Sequence, residues 1–340
     1  MRTTPHPQSR SPLVRFLLKT KRHCFVTVAL NAVIFGSPTA CAAYPEKPVR
    51  IIVPTIAGAG LDTLTRMLAQ KLFETSGKAF VVDNRAGAGG TIGMELAARA
   101  APDGYTLAIF TLTHLAMSTV PGKKTVDFVK DFAPLSWVSN SPYVLNVHPS
   151  IAAQNVAELL ALAKAKPDSI NFGSTGSGGT QHLAGYTLGA LSGARFFHVP
   201  YKGGAQVVND LLGGQIQMSF TVYPVVKPHL AAKRIRALGV TTAKRAPALP
   251  DIPAIAETLP GYEINTWYGI VAPAHTPDAV LDWLNRTVNA IMQQPAIRQG
   301  LAVDATEAVA ASRKEFAKHL ASEAAKWRDI VKGAGVTGQP

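Results

Sequence analysis

Short apolar runs alternate with amphipathic helical patterns along most of this 340-residue chain, and glycine-rich turns join one to the next. "VRIIVP" (49–54), "AFVVDN" (79–84), "YTLAIF" (105–110), "YVLNVHP" (143–149), "INFGS" (170–174) and "RFFHVP" (195–200) read as strands. Between them Leu61, Leu64, Leu68 and Leu72, then Val156, Leu159, Leu160 and Ala163, then Val207, Val208, Leu211 and Leu212 recur at helical spacing. A further helix starts near Thr91, and Leu281, Leu284, Val288 and Ile291, then Phe316, Leu320, Trp327 and Val331, mark two more. Strands alternating with helices need crossovers, so the expected class is α/β, with mostly parallel sheets covered by helices. Pro247, Pro250, Pro253 and Pro260 remove donors and fix φ, so this segment is expected to be an ordered loop before a return strand, "INTWYGIVAP".

The first 43 residues differ from the rest. They hold Arg2, Arg10, Arg15, Lys19, Lys21 and Arg22, no acidic residue, the apolar run "FVTVALNAVIFG" and then "SPTACAA". This is the pattern of a secretory signal peptide, with cleavage expected near Ala42 or Ala43. The apolar run is too short for a bilayer, which needs about 20 residues. Cys41 as a lipid-modified cysteine is the alternative, and Pro38 stands where such sites carry leucine or a similar residue. Both cysteines, Cys24 and Cys41, fall in this leader, so disulfide and thiol chemistry are not expected of the remainder. Without the leader 28 basic residues face 21 acidic ones, a net charge of +7. The densest basic cluster, Lys233-Arg234-Ile235-Arg236, is too short for a nucleic-acid stripe. The expectation is an exported protein, monomeric, in a bacterial periplasm.

Four glycine-rich turns follow strands: "TIAGAGLD" (55–62), "NRAGAGGTIG" (84–93), "GSTGSGGTQH" (173–182) and "YKGGAQ" (201–206). In open α/β sheets ligands bind beyond the carboxyl ends of strands, where such turns lie. A dinucleotide turn needs G-x-G-x-x-G, but Gly58-x-Gly60 is followed by Thr63 and Gly176-x-Gly178 by Gln181, and the phosphate loop G-x-x-x-x-G-K-[ST] is absent, which argues against nucleotides and leaves small anions. Thr55, Ser174, Thr175, Ser177, Thr180 and neighbouring amides are donors suited to a carboxylate. The competing reading is that the glycines only make tight turns. Ser174 or Ser177 with His114, His182 or His198 would be a nucleophile and base, but neither serine sits in G-x-S-x-G and spacing suggests no acidic orienter. Asp62 reads equally as a first-turn helix carboxylate favoured by the dipole or as an acid or base. Lys202 reads equally as a solvated lysine or a ligand contact, and Trp267 and Tyr268 read as core or hinge. No metal motif, cofactor motif or catalytic constellation is expected.

These turns and their flanks, including "YPEKPVRIIVP", "AGAGLDTLTRMLAQKL", "VVDNRAGAGGTIG", "PDGYTL", "SINFGSTGSGGTQHLAG", "FHVPYKGGAQVVNDLLGGQI" and "TWYGIVAPAHTP", resemble in order the substrate-binding proteins of tripartite tricarboxylate transporters, the Bug family. The resemblance implies a two-domain periplasmic binding protein of the type II clamshell form. Residues 44–142 plus 269–340 would make one discontinuous domain and 143–268 the other. It implies a small carboxylate ligand (a di- or tricarboxylate, an amino acid or an aromatic acid) and, as partners, the membrane subunits of such a transporter. It places the ligand on Thr55, Ala57, Gly58 and Gly60, on Ser174, Thr175, Gly176, Ser177, Gly178 and Thr180, and on Tyr201, Lys202, Gly203 and Gly204. Thr221 occupies a place where the family often carries aspartate. Thr55, Ile56 and Ala59 replace the family's usual aromatic, small residue and second glycine, which changes the shape of the first loop. A ligand sensor docking on a signalling receptor and a serine hydrolase are the alternative functions.

Overall fold

The protein is described by a computed structural model over residues 44–121 and 126–336; the expected leader, 1–43, lies outside the described residues. The chain opens with β1 (Val49–Val53), α1 (Gly60–Ser76), β2 (Phe80–Asn84), α2 (Thr91–Ala98) and β3 (Thr106–Thr111). Next come α3 (Leu112–Ser118) and a long strand, β4 (Phe132–Val147). The alternation resumes with α4 (Val156–Ala165), β5 (Asn171–Ser174), α5 (Thr180–Ser192), β6 (Phe197–Pro200) and α6 (Gly204–Leu212). It continues through β7 (Met218–Val222), α7 (Tyr223–Ala231), β8 (Arg236–Val240) and the single turn α8 (Ile255–Thr258). β9 (Asn265–Pro273), α9 (Asp278–Met292), α10 (Pro295–Ala302), β10 (Glu307–Ala308) and α11 (Arg313–Gly333) complete it.

The strands join in the order β2-β1-β3-β9-β4-β7-β5-β6, with β8 and β10 also paired to β4. β4 changes partners part-way along. It pairs with β9 from Phe132↔Pro273 to Pro142↔Asn265, and with β7 from Tyr143↔Val222 to Val147↔Met218. β1 with β2 and β3, and β5 with β6 and β7, are the parallel pairs expected of strand–helix alternation. The sheet is nevertheless mixed rather than mostly parallel, because β9 runs antiparallel to β3 and β4, and β4 antiparallel to β7 and β8.

Three other elements differ from expectation. β4 extends eleven residues upstream of Tyr143, where Pro134, Ser136, Ser139, Ser141 and Pro142 interrupt the apolar alternation. Register shifts at Pro134/Ser136 and Trp137/Ser139 let the strand absorb them. α7 forms despite two prolines, Pro224 at its start, where no donor is lost to the helix, and Pro228 inside it. The proline-rich stretch 247–260 is not wholly irregular, since α8 fits a turn between Pro253 and Pro260, with Glu257 Oε1 accepting the Ala254 N–H at 2.9 Å.

Each predicted apolar stripe faces inward: Leu61, Leu64, Leu68 and Leu72 of α1 pack against β1, β3 and α9, and α11 lays Phe316, Leu320, Trp327 and Val331 against the sheet. Phe316 meets Phe110 and Trp267, with ring centroids 6.5 and 6.1 Å apart, and Gly269 is bare so that these rings can approach the backbone of β9. Glu323 accepts the indole N–H of both Trp267 and Trp327, at 3.2 and 2.9 Å, which removes the cost of burying those donors. Phe316→Ala is expected to lower the unfolding free energy by about 3–5 kcal/mol in urea denaturation, whereas the exposed Lys314→Ala stays within about 0.5 kcal/mol of the parent.

Candidate functional site

α4 and α11 start with side-chain caps: Asn155 accepts the Glu158 N–H at 2.9 Å, and Ser312 accepts that of Glu315 at 3.2 Å. α1, α5 and α6 start differently. Their N-caps are Ala59, Gly179 and Gly203, and none carries a side-chain cap. In each, the third helical residue reaches back to the amide just before the N-cap. Asp62 Oδ2 accepts the Gly58 N–H at 2.8 Å, His182 Nδ1 that of Gly178 at 3.0 Å, and Gln206 Oε1 that of Lys202 at 3.3 Å. These loops are therefore folded against their own helices, while the N–H groups of the first helical turn are left without intrahelical partners and with the positive end of the dipole.

The first loop is tied down further. Asp62 is buried, at 2% exposure, and its carboxylate also receives Arg66 at 2.9 Å and Asn84 at 2.9 Å. The Arg66 hydrogen bond, with the Gly58 amide next, holds its pKa down to about 2, so it is a paired carboxylate rather than an acid or base. Asn84 also donates to the Thr55 carbonyl at 3.1 Å. The Thr55 hydroxyl oxygen is buried and has no hydrogen-bond partner among the described residues. Beneath the loop His114 accepts the Thr111 N–H on Nδ1 at 3.0 Å, which puts its proton on Nε2, toward the Pro54 carbonyl. Gly90, at φ +89°, leaves the room that His114 and Pro54 occupy.

The second loop is self-bonded in the same way. Ser174 is fully buried; its Oγ lies 2.7 Å from His198 Nε2 and accepts the Gly176 N–H at 3.1 Å, while Thr175 donates its N–H to Gln181 at 2.9 Å. The third loop abuts it: the Tyr201 N–H donates to the Ser174 carbonyl at 2.9 Å, and a Cβ at Gly204 would lie 3.9 Å from Thr175 Cγ2. Tyr201 turns its hydroxyl to Asp210 at 2.7 Å, and burial, with that carboxylate adding to it, pushes its pKa up to about 12.

A run of hydroxyls links the start of α1 to the start of α5. Thr113 Oγ1 on α3 lies 2.7 Å from Thr180 Oγ1, the first residue of α5. Tyr143 faces Thr180, Thr266 and Tyr268, and a Cβ at Gly60, the first residue of α1, would lie 3.4 Å from the Tyr268 hydroxyl. Burial, followed by the neighbouring Tyr268, raises the Tyr143 pKa to about 12, so it stays a neutral donor. Thr55, Ala57, Gly58, Gly60, Ser174 to Thr180 and Tyr201 to Gly204 thus occupy three loops, of which the second and third are in contact. Within them the amides of Gly58, Gly176, Gly178 and Lys202 are already engaged, and Ser177 and Lys202 are exposed. Thr221 sits in β7 opposite Val144, buried, its hydroxyl 3.1 Å from that of Ser219. Trp267 is core, as one of its two readings had it.

Thr113, Tyr143 and Thr266 were not singled out in the sequence, because they come from strands and a helix remote along the chain. Asp62, His182 and Gln206 were more accessible, since each lies four residues after the amide it holds, at the start of an apolar helical pattern.

The family described as "Tripartite tricarboxylate transporter family receptor" matches residues 64–336. The chain belongs to this family. Solved structures agree. "R. palustris Rpa4515 with adipate" is 34% identical, with a TM-score of 0.75, over 86% of this chain and 99% of that one. "Structure of periplasmic binding protein BugD" is 31% identical, with a TM-score of 0.72, over 87% and 100%. MatC (Rpa3494) from Rhodopseudomonas palustris with bound malate is 27% identical, with a TM-score of 0.70, over 85% and 100%. The architecture of this family member is the α/β periplasmic binding protein fold, and among the described residues no helix is long and apolar enough to cross a membrane.

His114 gives the site a defined acid response. Burial lowers its pKa to about 4, against the opposing hydrogen bonds to Pro54 and Thr111, whereas the unfolded chain carries it near its ordinary value of 6.5. The neutral ring's contribution is full above about pH 6.5 and falls as the pH drops toward 4, by about 2–3 kcal/mol. Denaturant unfolding at about pH 7.5 and about pH 4 should therefore show His114→Gln less stable than the parent at the higher pH, but losing about 2–3 kcal/mol less on acidification.

Proposed function

We propose that this chain captures a small carboxylate, a dicarboxylate first among candidates, and delivers it in the periplasm to the membrane subunits of a tripartite tricarboxylate transporter, with no bond made or broken. The observation that carries this reading is the run of hydroxyls, Tyr268, Tyr143, Thr266, Thr180 and Thr113, that links the start of α1 to the start of α5. Two lobes, 44–142 plus 269–340 and 143–268, would close on the ligand. The change of partner along β4 between Pro142 and Tyr143 supports that division, as do loops contributed from either side of it. Adipate and malate in the similar proteins support the ligand class.

The energetics are adequate without an arginine clamp. Hydrogen bonds to a charged group contribute about 1.5–3 kcal/mol each, so four or five, less the cost of ordering, reach the roughly −8 kcal/mol of micromolar binding. Closure follows because a ligand touching both lobes binds the closed form better than the open one.

A panel of mono-, di- and tricarboxylates screened by thermal shift tests the reading: a ligand at about 100 times its Kd adds about 2.7 kcal/mol of stability. Thr180→Val should weaken the best binder by about tenfold or more in calorimetry with little change in the melting temperature of the ligand-free protein. A panel in which no acid raises the melting temperature would overturn the proposal. The Ser174–His198 contact of 2.7 Å gives a hydrolase reading one specific support. Against it, Ser174 is fully buried and already braces the Gly176 amide. Ester turnover abolished by Ser174→Ala would establish it.

A further inference from the structure

Asp62, His182 and Gln206 hold equivalent amides, but they are not equivalent chemically. Asp62 keeps its charge down to about pH 2 and Gln206 has none to lose; His182 alone belongs to the class that changes charge between pH 5 and 8. Because its Nδ1 accepts the Gly178 N–H at 3.0 Å, the neutral ring carries its proton on Nε2. A second proton can enter only at Nδ1, where it would turn the acceptor into a donor pointing at another donor.

The surroundings make the consequence local. His182 stacks on His198 of β6, ring centroids 4.0 Å apart, and lies parallel to Phe172 of β5 at 6.4 Å. On the far side from the loop, a cavity of about 490 Å³ exposes both imidazoles to solvent. The charged groups across that cavity are Asp168 and Arg195, which pair with each other and so offer no free counter-charge; Tyr186 lies one turn along α5. The helix dipole at the start of α5 also opposes a cation there. Gly178 has no slack: a Cβ would lie 3.0 Å from Met117 Sδ and 3.1 Å from Val336 Cγ1, so a displaced loop disturbs its packing on α3 and the end of α11.

We propose that His182 is a positioning residue: as a neutral acceptor it holds residues 174–180 in the form that receives a carboxylate, and protonation at Nδ1 releases that loop, so capture weakens as the medium acidifies. This rests on the carboxylate-binding reading above. Burial lowers the pKa of His182, and burial together with the charge of His182 lowers that of His198 to about 4.

Asn is the discriminating replacement, since its Oδ1 occupies the place of Nδ1, accepts the same amide and does not titrate. Adipate is the calorimetric probe, at about pH 7.5 and about pH 5. Adipate itself takes up a proton between these values, which weakens both proteins alike, so the parent is expected to lose about threefold or more in affinity beyond the loss shown by His182→Asn. His182→Ala should be weak at both values, with rescue by Asn. The protection factor of the Gly178 amide, that is its hydrogen exchange relative to the intrinsic rate at each pH, measured without ligand, should fall at the lower pH in the parent but not in His182→Asn. Parallel pH profiles for parent and His182→Asn, tighter binding in acid, or equal Gly178 protection in both proteins would overturn the proposal. If adipate binds neither protein at either pH, the ligand assignment fails while the exchange measurement still decides the role of His182.

Discussion

The site depends on how three loop amides are held. A glycine-rich loop that must present N–H groups to a ligand cannot also be left to wander, because ordering it would subtract from binding. Here the amides that point away from the helix start are taken by Asp62, His182 and Gln206, each from the third position of the helix the loop feeds. The loop is thereby fixed by its own downstream helix, and the donors of the first turn stay available. The same three side chains occupy the position from which a capping box would return to the N-cap amide; they reach one residue further back, so the usual satisfaction of the helix start is displaced rather than completed.

This arrangement explains how an anion site can exist with an aspartate inside it. The Asp62 carboxylate is at 2% exposure and surrounded by Arg66, Asn84 and Gly58, so its charge is compensated by its own partners. What faces outward is the helix end, with only partial charge. Hydroxyls of Thr113, Thr180, Tyr143 and Tyr268 add hydrogen-bonding groups whose protons rotate. A fixed guanidinium would bind one carboxylate geometry more strongly and tolerate others less well.

Much of this was legible in the chain itself, for physical reasons that also set the limit. Leu61, Leu64, Leu68 and Leu72 announced α1 because burial of one face needs that spacing, and all four are buried. The glycine turns announced loops because positive φ, as at Gly58 and Gly178, is open to glycine at little cost. The upstream part of β4 was not legible, since Ser136, Ser139 and Ser141 satisfy a strand only through β9, a partner more than a hundred residues away. Antiparallel pairing by β4 and β9 was missed for the same reason, because local alternation reports elements and not the direction in which a distant strand returns. Tyr143 was legible as the start of a strand but not as a site residue, and Thr113 carried no local pattern; only their place beside Thr180 gives them a role.

The comparison of Thr55 with Ser174 shows how the two main loops divide the work. Ser174 has all its hydrogen-bonding capacity in use, between His198 Nε2 and the backbone of Gly176, and is buried, so it sets the shape of its loop. Thr55 is the opposite: its hydroxyl oxygen is buried without a partner among the described residues, an arrangement that costs free energy unless something supplies the missing bond. A carboxylate oxygen would accept from it, and doing so would relieve the cost of leaving it unpaired. Binding energy at that point would then come partly from repairing a deficit built into the ligand-free protein, which favours an occupied crevice without adding any charge to it.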